Sequence, residues 1–390
     1  MPNNTVAYDP TELLNAAKNR ERNLLGFLRS LVELESPSDN KAAVDRCVSF
    51  TADAVSRLGG RVRRHVRKDA GEVLEVYFGP PKTARTMKPI LLLGHLDTVW
   101  PLGTLAKMPF KIEKGRAWGP GVLDMKAGVA MALSAIEILQ EENLLQRPVI
   151  LLLAGDEETG SHASRAITEK VAIRCESVYV LEPSQGLEGA YKTSRKGIAT
   201  YSVHVAGVAA HSGVNFEEGH SAIAELARQV GEIESITDLK RGITLNVGTI
   251  EGGTRSNVVA AEARAEIDVR IVRAADFSRV DRRLKDLHVQ DKECVLKIDG
   301  GLNRPPMERT PATVALYKKA ATLARAMGFD LQEAATGGGS DGNFTSALGL
   351  PTLDGMGAVG EGAHAKNESV VLKELAPRTA LLASMLCETG

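Results

Sequence analysis

The sequence predicts an α/β protein in which a doubly wound, mainly parallel sheet is interrupted by a smaller, ferredoxin-like α+β domain. Three observations carry this. Short unbroken apolar runs, "PILLLG" and "PVILLLAG", alternate with helical stretches, as parallel strands covered on both faces do. From Arg195 to Arg304 the pattern becomes strand, helix, strand, strand, helix, strand, the split βαββαβ unit. Beyond Pro311 the first texture resumes, so residues 1–194 and 305–390 are expected to form one discontinuous domain around an insert of residues 195–304.

Each element has its own signal. Residues 11–34 and 39–58 place apolar side chains at helical spacing, and Ser38 or Asp39 after Pro37 is the expected cap of the second helix. The next strands read "EVLEVYF", "KPILLLGH", "RPVILLLAGDEE" and "SVYVLEP", with the helix "MKAGVAMALSAIEILQEE" between the second and third. In the insert, "GIATYSVHVAG" leads to the helix "HSAIAELARQVGEIES", the strands "ITLNVGTIEGG" and "EARAEIDVRIV", the helix "AADFSRVDRRLKDL" and the strand "ECVLKID". The outer domain resumes with the helix "ATVALYKKAATLARAM", the strands "LQEAAT" and "LPTLDG", and a last helix.

Composition removes several classes of function. The 390 residues are 43% hydrophobic and 25% charged, globular usage that excludes a collagen, a coil or a disordered tail. With 48 Lys+Arg against 49 Asp+Glu, no overall field draws the chain to nucleic acid or an anionic membrane, and neither is expected as a partner. The run Arg61–Lys68, "RVRRHVRK", reads as a solvated edge strand. No apolar stretch approaches the ~18 residues of a spanning helix, and "MPNNTVAYDPTELL" lacks a signal pattern, so a cytoplasmic location is expected. Cys47, Cys175, Cys294 and Cys387 stand far apart without a C-x-x-C pair and read as buried thiols.

The chemistry concentrates where apolar strands end, the edge at which open α/β sheets bind ligands. "ILLLGHLD" finishes in His95 and Asp97, "ILLLAGDEE" in Asp156, Glu157 and Glu158, and "VYVLEP" in Glu182. Asp124 in "GPGVLDMKAG" stands ahead of a long helix, and His364 in "GEGAHAKNES" lies in a Gly-rich loop. Taken singly, each is an ordinary cap or solvated polar group. Brought together, the carboxylates would repel one another unless a cation neutralised them. Imidazole and carboxylate without thiolate suit zinc, with Co2+ or Mn2+ as substitutes, and five ligands serve two ions if one carboxylate bridges.

At these residues the chain resembles the dinuclear zinc amidohydrolases that include carboxypeptidase G, acetylornithine deacetylase, succinyl-diaminopimelate desuccinylase and the aminoacylases. The motifs are "GHLDTVWP", "WGPGVLDMKAG", "DEETGS", "LEPS", "AAHSG", "GGTRSNVV", "GGGSDGNF" and "GAHAKNE", spread over nearly the whole chain and most like the carboxypeptidase G branch. The resemblance implies that His95 and Glu182 hold one zinc, Glu158 and His364 the other, and Asp124 bridges them. Asp97 would orient His95, and Glu157 would be the general base acting on a metal-bridging hydroxide. Two Zn2+, three ligating carboxylates and one hydroxide make a neutral core. The same resemblance makes the insert a dimerisation surface and lid. It implies that His211 stabilises the oxyanion in the partner subunit of a homodimer, and that Asn257, Arg270, Arg304 and Gly339 contact substrate.

The substrate so implied is an N-acyl amino acid or short peptide with a free α-carboxylate. The glutamate-specific branch carries a Lys eight residues beyond the metal-binding Glu, where this chain has Ala190, so an acidic side chain is not an expected requirement. Deacetylase, desuccinylase, aminoacylase and dipeptidase activities are the alternatives within the family. Outside it stand a non-catalytic relative and a serine hydrolase using Ser340, which lies in a G-x-S-x-G pattern from Gly338 to Gly342.

Overall fold

A computed structural model describes residues 8–79 and 87–387. The outer unit opens with α1 (Pro10–Glu33), α2 (Lys41–Arg57), β1 (Arg61–His65), β2 (Val73–Phe78) and β3 (Ile90–His95). A hairpin of β4 (Lys111–Glu113) and β5 (Arg116–Trp118) leads to α3 (Ala127–Glu141), β6 (Val149–Ala154), α4 (Arg165–Ala172), β7 (Ser177–Val180) and β8 (Tyr191–Arg195). The inserted unit holds β9 (Gly197–Ala206), α5 (Ala222–Glu234), β10 (Thr244–Gly252), β11 (Glu262–Ile271), α6 (Ala274–Lys285) and β12 (Val295–Arg304). The chain returns through α7 (Pro311–Ala326), β13 (Glu333–Thr336), α8 (Gly342–Ala347), β14 (Thr352–Leu353), β15 (Gly360–Glu361), β16 (Ser369–Val371) and α9 (Leu372–Leu386).

The main sheet has the order β1-β2-β6-β3-β7-β14. Strands β6, β3, β7 and β14 are parallel, whereas β2 runs antiparallel to β6 and β1 antiparallel to β2. Both faces are covered, as unbroken apolar strands require. Leu92, Leu151, Leu153 and Tyr179 pack with α3 and α9 residues on one face, and Leu91, Leu93, Leu152 and Val180 pack with Val171, Ala172 and Cys175 on the other. Strand β1 is the edge strand expected of the basic run, with Arg64 bonded to Glu72 and His65 to Glu75. The segment "LQEAAT" does not join this sheet; β13 pairs with β8 alone.

Two caps show how local chemistry sets the first helices. Asp9 accepts from the N–H of Thr11 ahead of Pro10, which starts α1. The cap of α2 is Asn40, whose Oδ1 accepts from Ala43 N–H at 3.0 Å, and not Ser38 or Asp39. Ser38 is taken elsewhere, donating to Asp97 at 2.6 Å.

The inserted unit is an antiparallel sheet of order β10-β11-β9-β12, the arrangement of a ferredoxin-like fold. Strand alternation places Ala199, Tyr201, Val203 and Val205 of β9 in a core with Leu226, Ile233, Val280 and Leu284 of the helices. Compact packing extends this unit from Arg195 to Glu308 and adds Gly337–Gly339, so residues 305–308 and the glycine run, placed by sequence in the outer domain, belong here. All four cysteines are buried and unpaired. No helix among the described residues is long and apolar enough to cross a membrane.

Candidate metal centre

Parallel register brings the polar strand ends together. His95 closes β3 opposite Ala154 of β6, and Leu93 pairs with Val180 of β7, so His95, the Asp156–Glu158 turn and Glu182 emerge at one edge. His95 is 1% exposed. Its Nδ1 lies 3.0 Å from the carbonyl oxygen of Asp97 and 3.5 Å from that residue's carboxylate. This turns Nε2 toward Asp124 Oδ1 at 3.4 Å and Glu182 Oε1 at 3.6 Å.

The Asp97 carboxylate has a second task that the sequence did not disclose. Its Oδ1 accepts from Glu157 N–H and its Oδ2 from Glu158 N–H, both at 3.1 Å, and Ser38 donates to Oδ2. One fully buried side chain therefore fastens the turn carrying both glutamates to the strand end carrying His95.

Asp124 lies just past the turn Gly119–Gly121. Gly121 has φ +69°, and a Cβ there would lie 2.5 Å from Thr98 Cγ2, so only glycine fits. The backbone then leaves helical geometry, with φ −113° and ψ 95° at Asp124, before α3 begins. Across the site, His364 reaches in from its loop with a left-handed φ of 61°. Its Nε2 lies 3.3 Å from Asp124 Oδ2 and 3.1 Å from Glu158 Oε2.

Two donor sets result among the described residues, His95–Asp124–Glu182 and Asp124–Glu158–His364, sharing Asp124. A tetrahedral zinc with bonds of about 2.0–2.1 Å keeps its ligand atoms about 3.3–3.4 Å apart, and the separations within both sets bracket that value. His95 Nε2 and Asp124 Oδ1 are buried without a hydrogen-bond partner, as atoms aimed at a cation would be. The residues thus fit divalent metal.

The electrostatics agree. Burial works against the charged forms of both His95 and Asp124. Even so, the neighbouring carboxylates of Asp124, Asp97 and Glu182 hold the imidazole of His95 well above its ordinary range, and the rings of His364 and His95 hold Asp124 well below the usual carboxylate range. Hydrogen bonds to Asp124 and Glu158 raise His364 to about 10. Burial pushes Glu158 up. Positive charge is thus favoured between these carboxylates, where a divalent ion would sit.

The remaining expected residues lie mostly in the inserted unit. His211 is exposed; its N–H donates to Asn215 Oδ1, and its Nδ1 accepts from Gly213 N–H. Ser212 N–H bonds to the carbonyl of Asn257, which places the His211 and Asn257 segments side by side. Arg270 makes a two-pronged pair with Asp268 at 2.7 and 2.8 Å and reaches Gly337 O. Arg304 is buried, and its Cδ would be 2.9 Å from a Cβ on Gly339. Arg195 donates to the carbonyls of Gly338 and Gly339, fixing the glycine run.

Ser340 is not a nucleophile. It is fully buried, its hydroxyl donates to Asp354 at 2.6 Å, and it accepts from Gly342 N–H, so the G-x-S-x-G match is a packed loop. Ala190 is also buried, closing a tight turn by reciprocal backbone bonds with Gln185. Pattern reading missed Ser38 and Glu368, a buried carboxylate behind the Asp124 loop, because neither stands at a strand end or in a ligand spacing.

Known proteins share this framework along most of the chain. The chain is 29% identical over 383 residues to carboxypeptidase G2 from Pseudomonas sp. (strain RS-16), covering 97% of this chain and 92% of that protein. Aminopeptidase PepT from Bacillus cereus superposes with a TM-score of 0.79 at 22% identity, covering 94% of this chain and 98% of that one. An M20 family metallo-carboxypeptidase from Sulfolobus solfataricus does so at 0.74 and 19% identity, covering 93% and 98%. These two likenesses speak for the fold. A model of Peptidase family M20/M25/M40 matches residues 91–388, a span that takes in every donor from His95 to His364. The protein is therefore a member of Peptidase family M20/M25/M40, a metal-dependent hydrolase of peptide and related amide bonds.

Proposed function

We propose that the protein cleaves the amide bond of N-acyl amino acids, or releases C-terminal amino acids from short peptides, in the manner of carboxypeptidase G and with two zinc ions per subunit. The observation that carries this is the placement of Asp124, whose two oxygens face two different histidines. His95, Asp124 and Glu182 would hold one ion, and Asp124, Glu158 and His364 the other, a donor set that also accepts Co2+ or Mn2+. Bound there, the ions would polarise the scissile carbonyl and lower the pKa of a water.

The chain's own groups do the rest. Glu157, held by its backbone on Asp97, takes a proton from water and returns it to the leaving nitrogen. Asp97 keeps the ring of His95 turned so that Nε2, not Nδ1, faces the carboxylates. Nδ1 of His211 accepts from Gly213, which leaves Nε2–H of the neutral ring as a donor. That donor is suited to an oxyanion in the partner of a homodimer formed through the inserted unit.

Arg304, Asn257 and the backbone at Gly339 are assigned to the free carboxylate, and Arg270 joins them if it exchanges Asp268 for substrate. Ala190 removes the reason to require a glutamyl side chain. Four buried, unpaired cysteines accord with a cytoplasmic location.

The test is metal content per chain, with hydrolysis of a panel of N-acyl amino acids and dipeptides before and after chelation. About two zinc per chain and loss of hydrolysis on chelation are expected, and the panel separates carboxypeptidase from deacetylase and dipeptidase. Glu157→Gln should keep its metal while kcat falls ~10²–10⁴-fold. A variant with full activity would remove Glu157 from the mechanism.

A further inference from the structure

We infer that Glu368 is a positioning residue for the metal site, a buried carboxylate that holds the Asp124 loop in the shape that lets one side chain face two histidines. This rests on the two-metal reading of the site. Strand β16 pairs antiparallel with β5, setting Ser369 opposite Trp118. Glu368, one residue before β16, therefore meets the turn that leaves β5. It is fully buried.

Its oxygens are completely engaged. Oε1 accepts from Leu123 N–H at 2.9 Å and Asp124 N–H at 3.0 Å, and Oε2 accepts from Gly121 N–H at 2.8 Å and the Trp100 indole at 2.6 Å. Val122 N–H goes to Gly119 O at 3.3 Å, and Pro120 has no N–H, so every backbone donor from 120 to 124 is accounted for. The loop needs such an acceptor because these amides belong to the first turn after Gly121, where no preceding helical carbonyl is there to receive them. Four donors on two oxygens also explain how a carboxylate tolerates this burial.

The placement has a second effect. Glu368 stands four residues past His364, so one short segment delivers the histidine of the second donor set and clamps the carboxylate that both sets share. Glu368 touches neither substrate nor donor atoms; it acts through the backbone of Asp124.

Glu368→Gln tests this with little change of shape, because whichever way the amide turns, its NH2 faces two N–H donors. The metal-free variant is expected to keep wild-type circular dichroism. Its Co2+ affinity, measured by competition with a chromophoric chelator, should fall ~10–100-fold, the usual cost of losing a partner behind a ligand. The visible Co2+ band should change in position and intensity, and kcat should fall with KM little altered. Trp100→Phe removes one of the four donors and covers the case in which Glu368→Gln does not fold; its Co2+ affinity should drop about 2–10-fold, the net worth of one hydrogen bond. Wild-type Co2+ affinity and spectrum in both variants would overturn the role of Glu368. Failure of the unmodified protein to take up Co2+ or Zn2+ would instead overturn the two-metal reading.

Discussion

His95 and His364 present the same atom to the same carboxylate from opposite surroundings. His95 is 1% exposed, ends a strand in the middle of the sheet, and has its second nitrogen held by Asp97. The side chain of His364 is 50% exposed and stands on a loop with a left-handed backbone. The difference teaches that one half of the site is set by the sheet and exists before any ion arrives, whereas the other depends on a loop being held in place. The two halves should therefore respond unequally to the same insult.

The largest contrast is expected in the stability of the metal-free protein. His95→Ala leaves buried carboxylates without their counter-charge and should cost about 3–5 kcal/mol, whereas His364→Ala, at a half-exposed pair, should cost under about 1 kcal/mol. Urea unfolding of the two variants checks this, and equal costs would erase the distinction. Next, Asp97→Ala should weaken metal binding ~10–100-fold, since it releases both the ring of His95 and the turn of Glu157 and Glu158. Chelator competition reads that change.

A pH series sharpens the comparison further. The pKa of His364 is raised to about 10, so in the metal-free protein its proton stabilises the fold fully below the ordinary histidine value, and that contribution is lost as pH climbs toward 10. A cation must displace this proton. Affinity at the second set should thus rise with pH through the neutral range, about tenfold per unit for each proton displaced, with protons released on binding. Calorimetry in buffers of different ionisation enthalpy counts them; zero protons released would mean that His364 carries no proton for the metal to displace. The smallest effect is expected from Ser38→Ala, which removes one hydrogen bond to Asp97 and should lower kcat about 2–10-fold with metal retained.

The strand-end residues were legible because parallel strands of unbroken apolar sequence all deliver their C-terminal neighbours to the same edge of the sheet. His95, Glu158 and Glu182 each stand within a few residues of an apolar run, and the fold carries all three to that edge. The antiparallel turn of β2 was not legible, since a buried strand reads alike in either direction. Nor was the separation of β13, whose short, half-buried sequence gives no hint of its partner. Ser38 and Glu368 escaped for another reason. Their importance lies in which backbone amides and carboxylates surround them, and 59 residues separate Ser38 from Asp97 while 244 separate Glu368 from Asp124. The G-x-S-x-G match at Ser340 misled in the opposite sense, a local pattern whose hydroxyl is spent on Asp354.

The discontinuity of the outer unit has a consequence for how the molecule is made. Synthesis proceeds from the N-terminus, so His95, Asp124, Glu158 and Glu182 are all translated before the inserted unit begins at Arg195. Strand β14, the neighbour of β7 in the main sheet, and the loop bearing His364 emerge only after that unit has passed. Until β14 has been made, β7 lacks its second neighbour in the main sheet, and only one of the two donor sets has all its residues. The segment that supplies β14 and completes the second set of ligands is thus translated only after the whole inserted unit.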